Sequence, residues 1–564
     1  MAFQLSPGVL VTEQDLTSVV PAVATTAGGF AGAFAWGPVG VVTTVDSENA
    51  LVTRFGKPNS STFQSFFTAA NFLSYGNNLQ VIRVVNQATA RNARSNAAST
   101  AVIIRNEDHY TASYSAGEGS VGEWAAKYPG ALGNSLRVSM ADANAWSTWS
   151  YAANFDAAPS TSAYVSNLGG SHDELHIAVI DEDGLFTGTA GTVVEKFAFA
   201  SKASDGKKAD GTSAYYKDVV NTQSAYIYWM DHTANVTATG TAWGNAANAS
   251  LFANLTSNVT LSLSGGVSAD APTDGNITSA LALFANDEQY DISLLPLGAA
   301  SATVVNYAIS SIAEVRKDVI VFASPTLANV VNNAGSEATD VVTFRETLTS
   351  SSYAVLDSGW KYQYDRYNDV YRWIPLNGDT AGLAVRTDFV ADPWFSPAGF
   401  NRGQVKNVVK LAYSPSKADR DTLYKKGINP VVTFPGNGTV LFGDKTLLAK
   451  PSAFDRINVR RLFIVLEKAI ATAAKFQLFE FNDPFTRAQF RNLVEPFLRD
   501  VQGRRGITDF RVVCDESNNT PNVIDSNQFV GDIYIKPARS VNFIQLNFVA
   551  VRTGVSFEEI VGRF

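Results

Sequence analysis

The sequence has few of the residues that most often carry out chemistry. Its 564 residues include one cysteine, Cys514, and four histidines. A single cysteine excludes an internal disulfide framework and is typical of a reducing compartment or of an assembly without crosslinks. Cys514 lies in an apolar segment, where a thiol is usually inert packing, and no G-x-S-x-G nucleophile elbow is present. We therefore predict no catalytic residues, no cofactor and no enzyme activity.

Positive charge is absent from the start of the chain. The first basic residue is Arg54, so the positive region of a secretory signal is missing. Residues 16–45 carry no charge and resemble a membrane span in hydropathy, but Pro21, Pro38 and several glycines interrupt them. Such breakers favour a buried strand between turns over a helix in lipid. We expect no stable membrane insertion.

One motif resembles a metal site. The letters HDELH place His172 and His176 at a spacing of four residues, but Glu174 stands at neither position that zinc proteases use. The apolar run that follows His176 predicts a strand, on which this spacing does not give helical ligand geometry. We predict no metal ligands, and a metal-dependent enzyme in this region stays open as an alternative.

The length and texture of the chain indicate several domains. At 46% hydrophobic and 17% charged residues, the chain is typical of a folded protein, and its length suggests about three to five domains. Strand and helix patterns alternate up to residue 88, give way to a β-rich block rich in Ala, Ser, Thr, Asn and Gly over 89–285, and resume at 286. This order predicts an α+β and α/β multidomain protein. A discontinuous α/β middle domain would span 21–88 and 286–375, with 89–285 as its insertion.

Two long amphipathic helices are predicted after residue 455. The second starts with Asp483 as its N-cap and Pro484 in its first turn, and Pro496 inside it predicts a kink or break. The basic residues of both helices fall largely off the apolar faces; they are Arg460, Arg461, Lys468, Lys475, Arg487, Arg491 and Arg499.

The net charge of −8 hides an uneven distribution. Residues 1–383 carry 19 basic and 34 acidic side chains, whereas residues 384–564 carry 25 and 18, a net charge of +7. Two interpretations are open: an uneven scatter of solvated charges, or a basic surface for an acidic partner.

The segment VNFIQLNFVAVRTG near the end of the chain alternates like a strand. Ile544, Leu546, Phe548 and Ala550 fall on one face. A strand this close to a terminus must pair with its own sheet or with another chain.

Several segments resemble contractile phage tail sheath proteins. The C-terminal resemblance rests on GINPVVTFPGNGTVLFGDKTLL, FDRINVRRLFIVLEKAI, FQLFEFND, FRVVCDESNNT and FVGDIYIKPARSVNFIQLNF, and the N-terminal one on SPGVLVTEQDL, FAWGPVG and RFGKP. The segment TAGLAVRTDFVADPWFSPAGFNRGQV adds a third match. The similarity covers roughly residues 1–88 and 286–564 in the family's order, whereas the middle block resembles nothing that we can name. Around FGDKT, Phe442 and Asp444 depart from the family's pattern.

The resemblance implies a mechanical function. A sheath subunit polymerises helically around a tail tube and contracts to drive the tube through the host envelope. An N-terminal arm (1–20) and a C-terminal arm (541–564) would add strands to neighbouring subunits. An inner domain (376–540) would face the tube through the seven basic residues named above, with the insertion outside. The implied arm residues are Val9, Leu10, Val11, Phe543, Ile544, Leu546, Phe548 and Val549.

The resemblance also implies partners and a location. The partners would be further copies in stacked hexameric rings, the tail tube protein, and the baseplate and tail terminator proteins, with no direct contact to nucleic acid. The protein would be assembled in the host cytoplasm and work in the virion tail. A sheath from a related injection device, such as an R-type pyocin or a secretion system, is the main alternative. A surface-layer protein or adhesin would need an export signal.

Overall fold

The computed structural model describes residues 24–96, 98, 101–542 and 545. They form two compact units that divide between Thr472 and Ala473. In chain order the strands are β1 (Gly28–Gly32), β2 (Val42–Val45), β3 (Leu79–Arg83), β4 (Trp124–Ala126), β5 (Leu136–Asp142), β6 (Glu174–Asp181), β7 (Thr192–Ser201), β8 (Ile227–Trp229), β9 (Val259–Ser262), β10 (Leu294–Pro296), β11 (Ile320–Ala323), β12 (Ala354–Asp357), β13 (Trp360–Asp365), β14 (Val370–Pro375), β15 (Lys410–Leu411), β16 (Ile428–Asn429), β17 (Val431–Phe434), β18 (Gly438–Leu441), β19 (Ile507–Val513) and β20 (Asp532–Pro537).

The α-helices lie mostly between these strands. They are α1 (Glu48–Phe55), α2 (Phe63–Leu73), α3 (Glu107–Ser113), α4 (Ala163–Asn167), α5 (Tyr216–Gln223), α6 (Asp274–Leu281), α7 (Ala302–Tyr307), α8 (Glu314–Arg316), α9 (Leu327–Val330), α10 (Glu337–Glu346), α11 (Asn377–Val390), α12 (Lys417–Lys425), α13 (Ile457–Ala474), α14 (Pro484–Gly503) and α15 (Pro521–Asp525). A π-helical turn, Ala308–Ala313, joins α7 to α8.

The larger unit is built on a seven-stranded sheet with the order β16-β12-β11-β10-β1-β3-β2. All neighbours are parallel except β2 and β3. Strands from before and after the middle block therefore lie in one sheet, and they meet where Gly28 of β1 pairs with Leu294 of β10. The fold is a mixed α/β arrangement with several sheets, which confirms the predicted class at that level.

The uncharged N-terminal stretch forms strands where the structure describes it. All five residues of β1 are buried, which confirms the strand interpretation there. Among the described residues, none of the helices combines the length and apolar character that a membrane crossing requires.

The middle block has sheets and a core of its own. A four-stranded antiparallel sheet has the order β7-β6-β5-β9, and β4 pairs with β8 beside it. Its core contains the buried rings of Trp124, Trp149 and Trp229. Arg83, at the end of β3, ties this block to the central sheet because its guanidinium donates to the carbonyls of Phe34 and Pro129.

Buried residues that follow position 375 pack in the same core as the central sheet. Ala381, Ala384 and Val385 of α11 belong to the same buried cluster as the central sheet, and so do Ile457 and Ile464 of α13. The domain boundaries given above remain predictions.

A buried polar network occupies the carboxyl ends of the parallel strands. Ser324 Oγ, just after β11, donates to Asp357 Oδ2 at the end of β12 over 2.7 Å and accepts from the backbone N–H of Asn377 over 3.0 Å. The Asn377 amide also exchanges two hydrogen bonds with the backbone of Gly298. The first turn of α11 therefore fills the edge of the sheet where ligands often bind in open α/β folds.

Burial raises the pKa of the Asp357 carboxyl to about 8. Since the unfolded pKa is about 4, the folded state binds more protons between these values, and stability falls as the pH rises through that window. We expect Asp357→Asn to abolish this loss, so that its stability relative to wild type rises by about 1 kcal/mol or more from pH 5 to pH 8. Urea unfolding at several pH values measures the difference.

Asp210→Asn is the matched control. The pKa of the exposed Asp210 carboxyl is lowered by its hydrogen bonds from Thr212, so this group is ionised in both states from pH 5 to pH 8. A flat difference for Asp357→Asn across the same range would show that Asp357 is ionised in the fold.

Candidate assembly surface

The C-terminal unit is organised around α14. Asp483 caps the helix by accepting the Thr486 N–H over 2.8 Å, and Pro484 follows in the first turn, as predicted. The apolar face of α14 is also confirmed, with buried side chains at Phe490, Leu493, Val494, Leu498 and Val501. Of the kink or break predicted at Pro496, the break is wrong, because α14 runs unbroken from Pro484 to Gly503; a kink there remains a prediction. Packing of this long apolar face maintains a helix in which one hydrogen bond is lost.

A two-stranded antiparallel sheet packs against α14. Strands β19 and β20 pair from Ile507 opposite Pro537 to Val513 opposite Asp532. Within the described residues no third strand joins either side of this pair. A two-stranded sheet is marginal by itself, and its outer edges present backbone donors and acceptors that another strand can use.

Buried polar contacts hold the connection between β19 and β20. Asn519 donates from Nδ2 to the Val530 carbonyl over 2.7 Å and accepts from the Val530 N–H over 2.9 Å. Cys514, just after β19, is buried, and burial raises the pKa of its thiol. A buried thiol with a raised pKa is poorly reactive, which agrees with the packing role predicted for Cys514.

The predicted arm residues lie outside the described part of the chain. This holds for Val9, Leu10, Val11, Phe543, Ile544, Leu546, Phe548 and Val549. Their pairing with neighbouring subunits remains a prediction.

Two residues predicted on a basic, exposed helix face are in fact buried. Arg460 is 5% and Arg461 3% exposed. The Arg460 guanidinium lies over the Phe454 ring and donates to the Tyr353 hydroxyl. Arg461 forms an ion pair of 2.6 Å with Asp388. The prediction failed because the first turns of α13 are enclosed on nearly all sides, and a two-faced pattern does not show such enclosure.

The other five predicted basic residues have different surroundings. Arg487 is buried and donates to the Asp483 carbonyl, and the half-buried Arg491 donates to the Cys514 carbonyl. Lys468 forms ion pairs with Asp291 and Asp318. Lys475 is exposed, and so is Arg499, which lies 3.6 Å from Glu495. The structure therefore leaves Lys475 and Arg499 as the freely exposed members of the predicted set.

The net positive charge of residues 384–564 is not located where the two basic helices predicted it. Residues 384–472 hold 14 basic and 7 acidic side chains, whereas residues 473–564 hold 11 of each. The whole net charge of +7 thus belongs to the segment before Ala473.

An exposed aromatic segment, residues 476–485, was not predicted from the sequence. Five large apolar side chains in this segment are more than 60% exposed: Phe476, Leu478, Phe479, Phe481 and Phe485. The high density of large apolar residues between the two predicted helices is the sequence signal that indicates this segment. Large apolar side chains that are exposed together in one short segment often mark an interaction site.

The histidine pair does not form a metal site. His176 lies in β6 with both ring nitrogens engaged by the backbone, Nε2 with the Ala157 carbonyl at 2.9 Å and Nδ1 with the Phe199 N–H at 3.0 Å. Stacking on Phe155 completes its buried setting. His172 lies before the strand with a φ of 63°. The described residues include no group of three or more potential metal ligands.

The placement of Arg461 and Arg499 gives a direct test. Arg461→Ala should lower the free energy of unfolding by about 3 kcal/mol, because it removes the charged partner of the nearly buried Asp388 carboxylate, which keeps its hydrogen bond from the Thr25 hydroxyl. Arg499→Ala, at an exposed pair, should change stability by less than about 0.5 kcal/mol. Thermal and denaturant unfolding of both variants measures this. Equal, small effects would place Arg461 on the surface.

Comparisons with known proteins agree with this architecture. Two family models match the chain: phage tail sheath protein central domain over residues 270–447, and phage tail sheath C-terminal domain over residues 449–550. The chain is 36% identical to the tail sheath protein of Vibrio phage KVP40 over an alignment of 690 residues, which covers 99% of this chain and 100% of that protein. It is 34% identical to the tail sheath protein of Enterobacteria phage T4, with 99% of each chain covered.

Solved structures show the same fold at low identity. A sheath tail protein from Listeria innocua has a TM-score of 0.53 at 11% identity and covers 91% of this chain and 94% of its own. The helical sheath of the anti-feeding prophage, in its contracted state, has a TM-score of 0.52 at 13% identity, covering 97% and 99%. With tail sheath relatives at more than 30% identity along almost its whole length, the chain belongs to the phage tail sheath protein family.

Proposed function

We propose that the chain is the structural and mechanical subunit of a contractile tail sheath. It would polymerise helically around a tail tube and contract to drive the tube through the host envelope. The observation that carries the proposal is the two-stranded sheet of β19 and β20, whose outer edges pair with no other strand among the described residues. The strand pattern of residues 541–550 lies just beyond it in the sequence.

Strand addition supplies the link between subunits. The C-terminal arm of one copy would extend the β19–β20 sheet of another, and the Val9 to Val11 stretch would contribute from the N-terminal side. Main-chain hydrogen bonds give affinity, and the row Ile544, Leu546 and Phe548 sets the register. Because donor and acceptor surfaces differ, the contact is heterologous and generates a helix.

The proposed sheath has different domains on its outer and inner surfaces. The block 89–285 forms an outer insertion on a discontinuous α/β domain, and the C-terminal α+β domain lies inside with both arms extended from it. The copies stack as hexameric rings and meet the tube, the baseplate and the tail terminator. Assembly takes place in the host cytoplasm and the product is the virion tail. No enzyme activity, cofactor or nucleic acid contact is part of the proposal.

The proposed contact with the tube rests on exposed positive charge. Of the predicted residues, Lys475 and Arg499 are exposed, whereas Arg460, Arg461 and Arg487 are buried inside the subunit. Exposed ion pairs contribute only about 0 to 1 kcal/mol each, so such contacts can break when the sheath contracts.

A related injection device is the second candidate. The likeness to the contracted sheath of the anti-feeding prophage favours it as far as the fold goes. Tail sheath relatives from Vibrio phage KVP40 and Enterobacteria phage T4, at higher identity, favour a phage. A metal-dependent enzyme in the middle block is disfavoured because His176 has no free ring nitrogen.

Removal of the last strand tests the proposal. The purified full chain should form hollow cylinders in negative-stain electron microscopy, and a chain truncated before Val541 should remain monomeric. Two single substitutions refine this. Leu546→Asp should reduce assembly at least ten-fold because it places a charge in the apolar row, and Asn547→Asp on the opposite face is the matched control. Equal assembly of the full and truncated chains would show that the strand is no connector.

A further inference from the structure

The aromatic segment (residues 476–485) is a built surface rather than a loose loop. Asn482 anchors it by donating from Nδ2 to Asn519 Oδ1 over 3.0 Å and to the Gln528 carbonyl over 2.8 Å. Asp483 then caps α14, and Phe479 has a φ of 70°, an uncommon conformation for a non-glycine residue. These constraints hold the rings toward solvent, and Phe479 is fully exposed. We therefore expect another chain segment to pack on this surface.

The last ten residues of the chain have the pattern of a matching helix. Ser556 and Glu559 form the S-x-x-E signature of a capping box, and Val555 and Ile560 occupy the positions of a hydrophobic staple. Phe557, Ile560, Val561 and Phe564 then follow the i, i+3, i+4, i+7 spacing of a helix that lays its apolar face in a groove. A helix this short is marginal in water, so it needs a surface on which to form.

Both partners carry charges of both signs. Glu558 and Glu559 fall in the first turn of the predicted helix, and the exposed Lys475 stands directly before the aromatic segment. Arg563 in the tail and the exposed Glu480 and Asp483 of the segment add charges of the opposite sign. The apolar anchors of the tail and the exposed rings, rather than net charge, therefore favour this pairing.

We propose that the C-terminal tail (residues 555–564) of one copy docks as a short helix on the aromatic segment of a second copy. This inference rests on the proposed function, because the preceding strand must first reach the neighbouring subunit. Only four residues, 551–554, then separate that strand from the tail, a span of about 13 Å. The subunit that accepts the strand therefore also receives the tail.

The direction of β19 supports the proposed position of the tail on the aromatic segment. Cys514, just after β19, accepts a hydrogen bond from Arg491 in the first half of α14, and Asn519 contacts Asn482 beside the aromatic segment. Strand β19 thus runs toward the aromatic segment. A strand added beside β20 in the antiparallel sense runs in the same direction and ends near the exposed rings. The tail would lock the strand in place.

Photo-crosslinking in the full chain tests the contact. Unlabelled chains carry p-benzoylphenylalanine in place of Phe557, and they assemble with an equal amount of ¹⁵N-labelled wild-type chains. After irradiation and trypsin digestion, we expect the probe on the peptide of residues 476–487, in labelled and unlabelled forms at a ratio of about one. Capture of the unlabelled form alone would mean docking within one chain and would overturn the proposal.

Two variants in the same assay complete the test. The double variant Phe479→Ser and Phe481→Ser should lower the crosslink yield at least five-fold, whereas Phe389→Ser, which is 62% exposed elsewhere, should leave the yield unchanged. Crosslinks to any other peptide would overturn the proposal. Cylinders that form from the full chain but not from the chain truncated before Val541 would then show that the proposed function stands without it.

Discussion

The pairing of β1 with β10 is the contact on which the larger unit depends. It joins the strands that precede the middle block to those that follow, and without it the seven-stranded sheet would fall into two fragments. Space there is tight, because a Cβ at Gly28 would lie 2.6 Å from the Phe72 ring. Glycine lets the strand approach the α2 helix closely. The chain enters the middle block after β3 and leaves it before β10, and β1 lies between these two strands in the sheet. Both ends of the block are therefore fixed in the same sheet.

The C-terminal unit, which is the smaller one, differs from the larger unit in the size of its sheet. Within the part of the chain that the structure describes, its sheet has two strands, and a sheet of that size gains little stability alone. Unpaired sheet edges favour aggregation of a monomer. In a polymer the same edges can bind neighbouring chains, because each added strand supplies main-chain hydrogen bonds without a preformed pocket. Each such bond contributes only about 1 kcal/mol net. The mechanical work of contraction must therefore come from many subunits that change their packing together.

Charge is used in two separate ways in this chain. Inside the larger unit, ion pairs such as Lys361 with Asp379 and Lys202 with Asp142 are almost fully buried and hydrogen-bonded. They fix specific arrangements, because a buried charge without its partner is costly. On the surface, pairs such as Arg499 with Glu495 are exposed and weak. Buried pairs suit a rigid body, and exposed charges suit contacts that must form and break.

The sequence by itself determined the elements with strong local signals and the family. The apolar faces of α14, its Asp483 cap and the strands on either side of the middle block follow from periodicity and capping, which act over a few residues. Tertiary structure alone decided the environments of Arg460, Arg461 and His176, because partners such as Asp388, Tyr353 and Phe155 are distant in sequence or come from other elements. It also decided that α14 continues through Pro496, since the packing of an entire face outweighs one missing hydrogen bond.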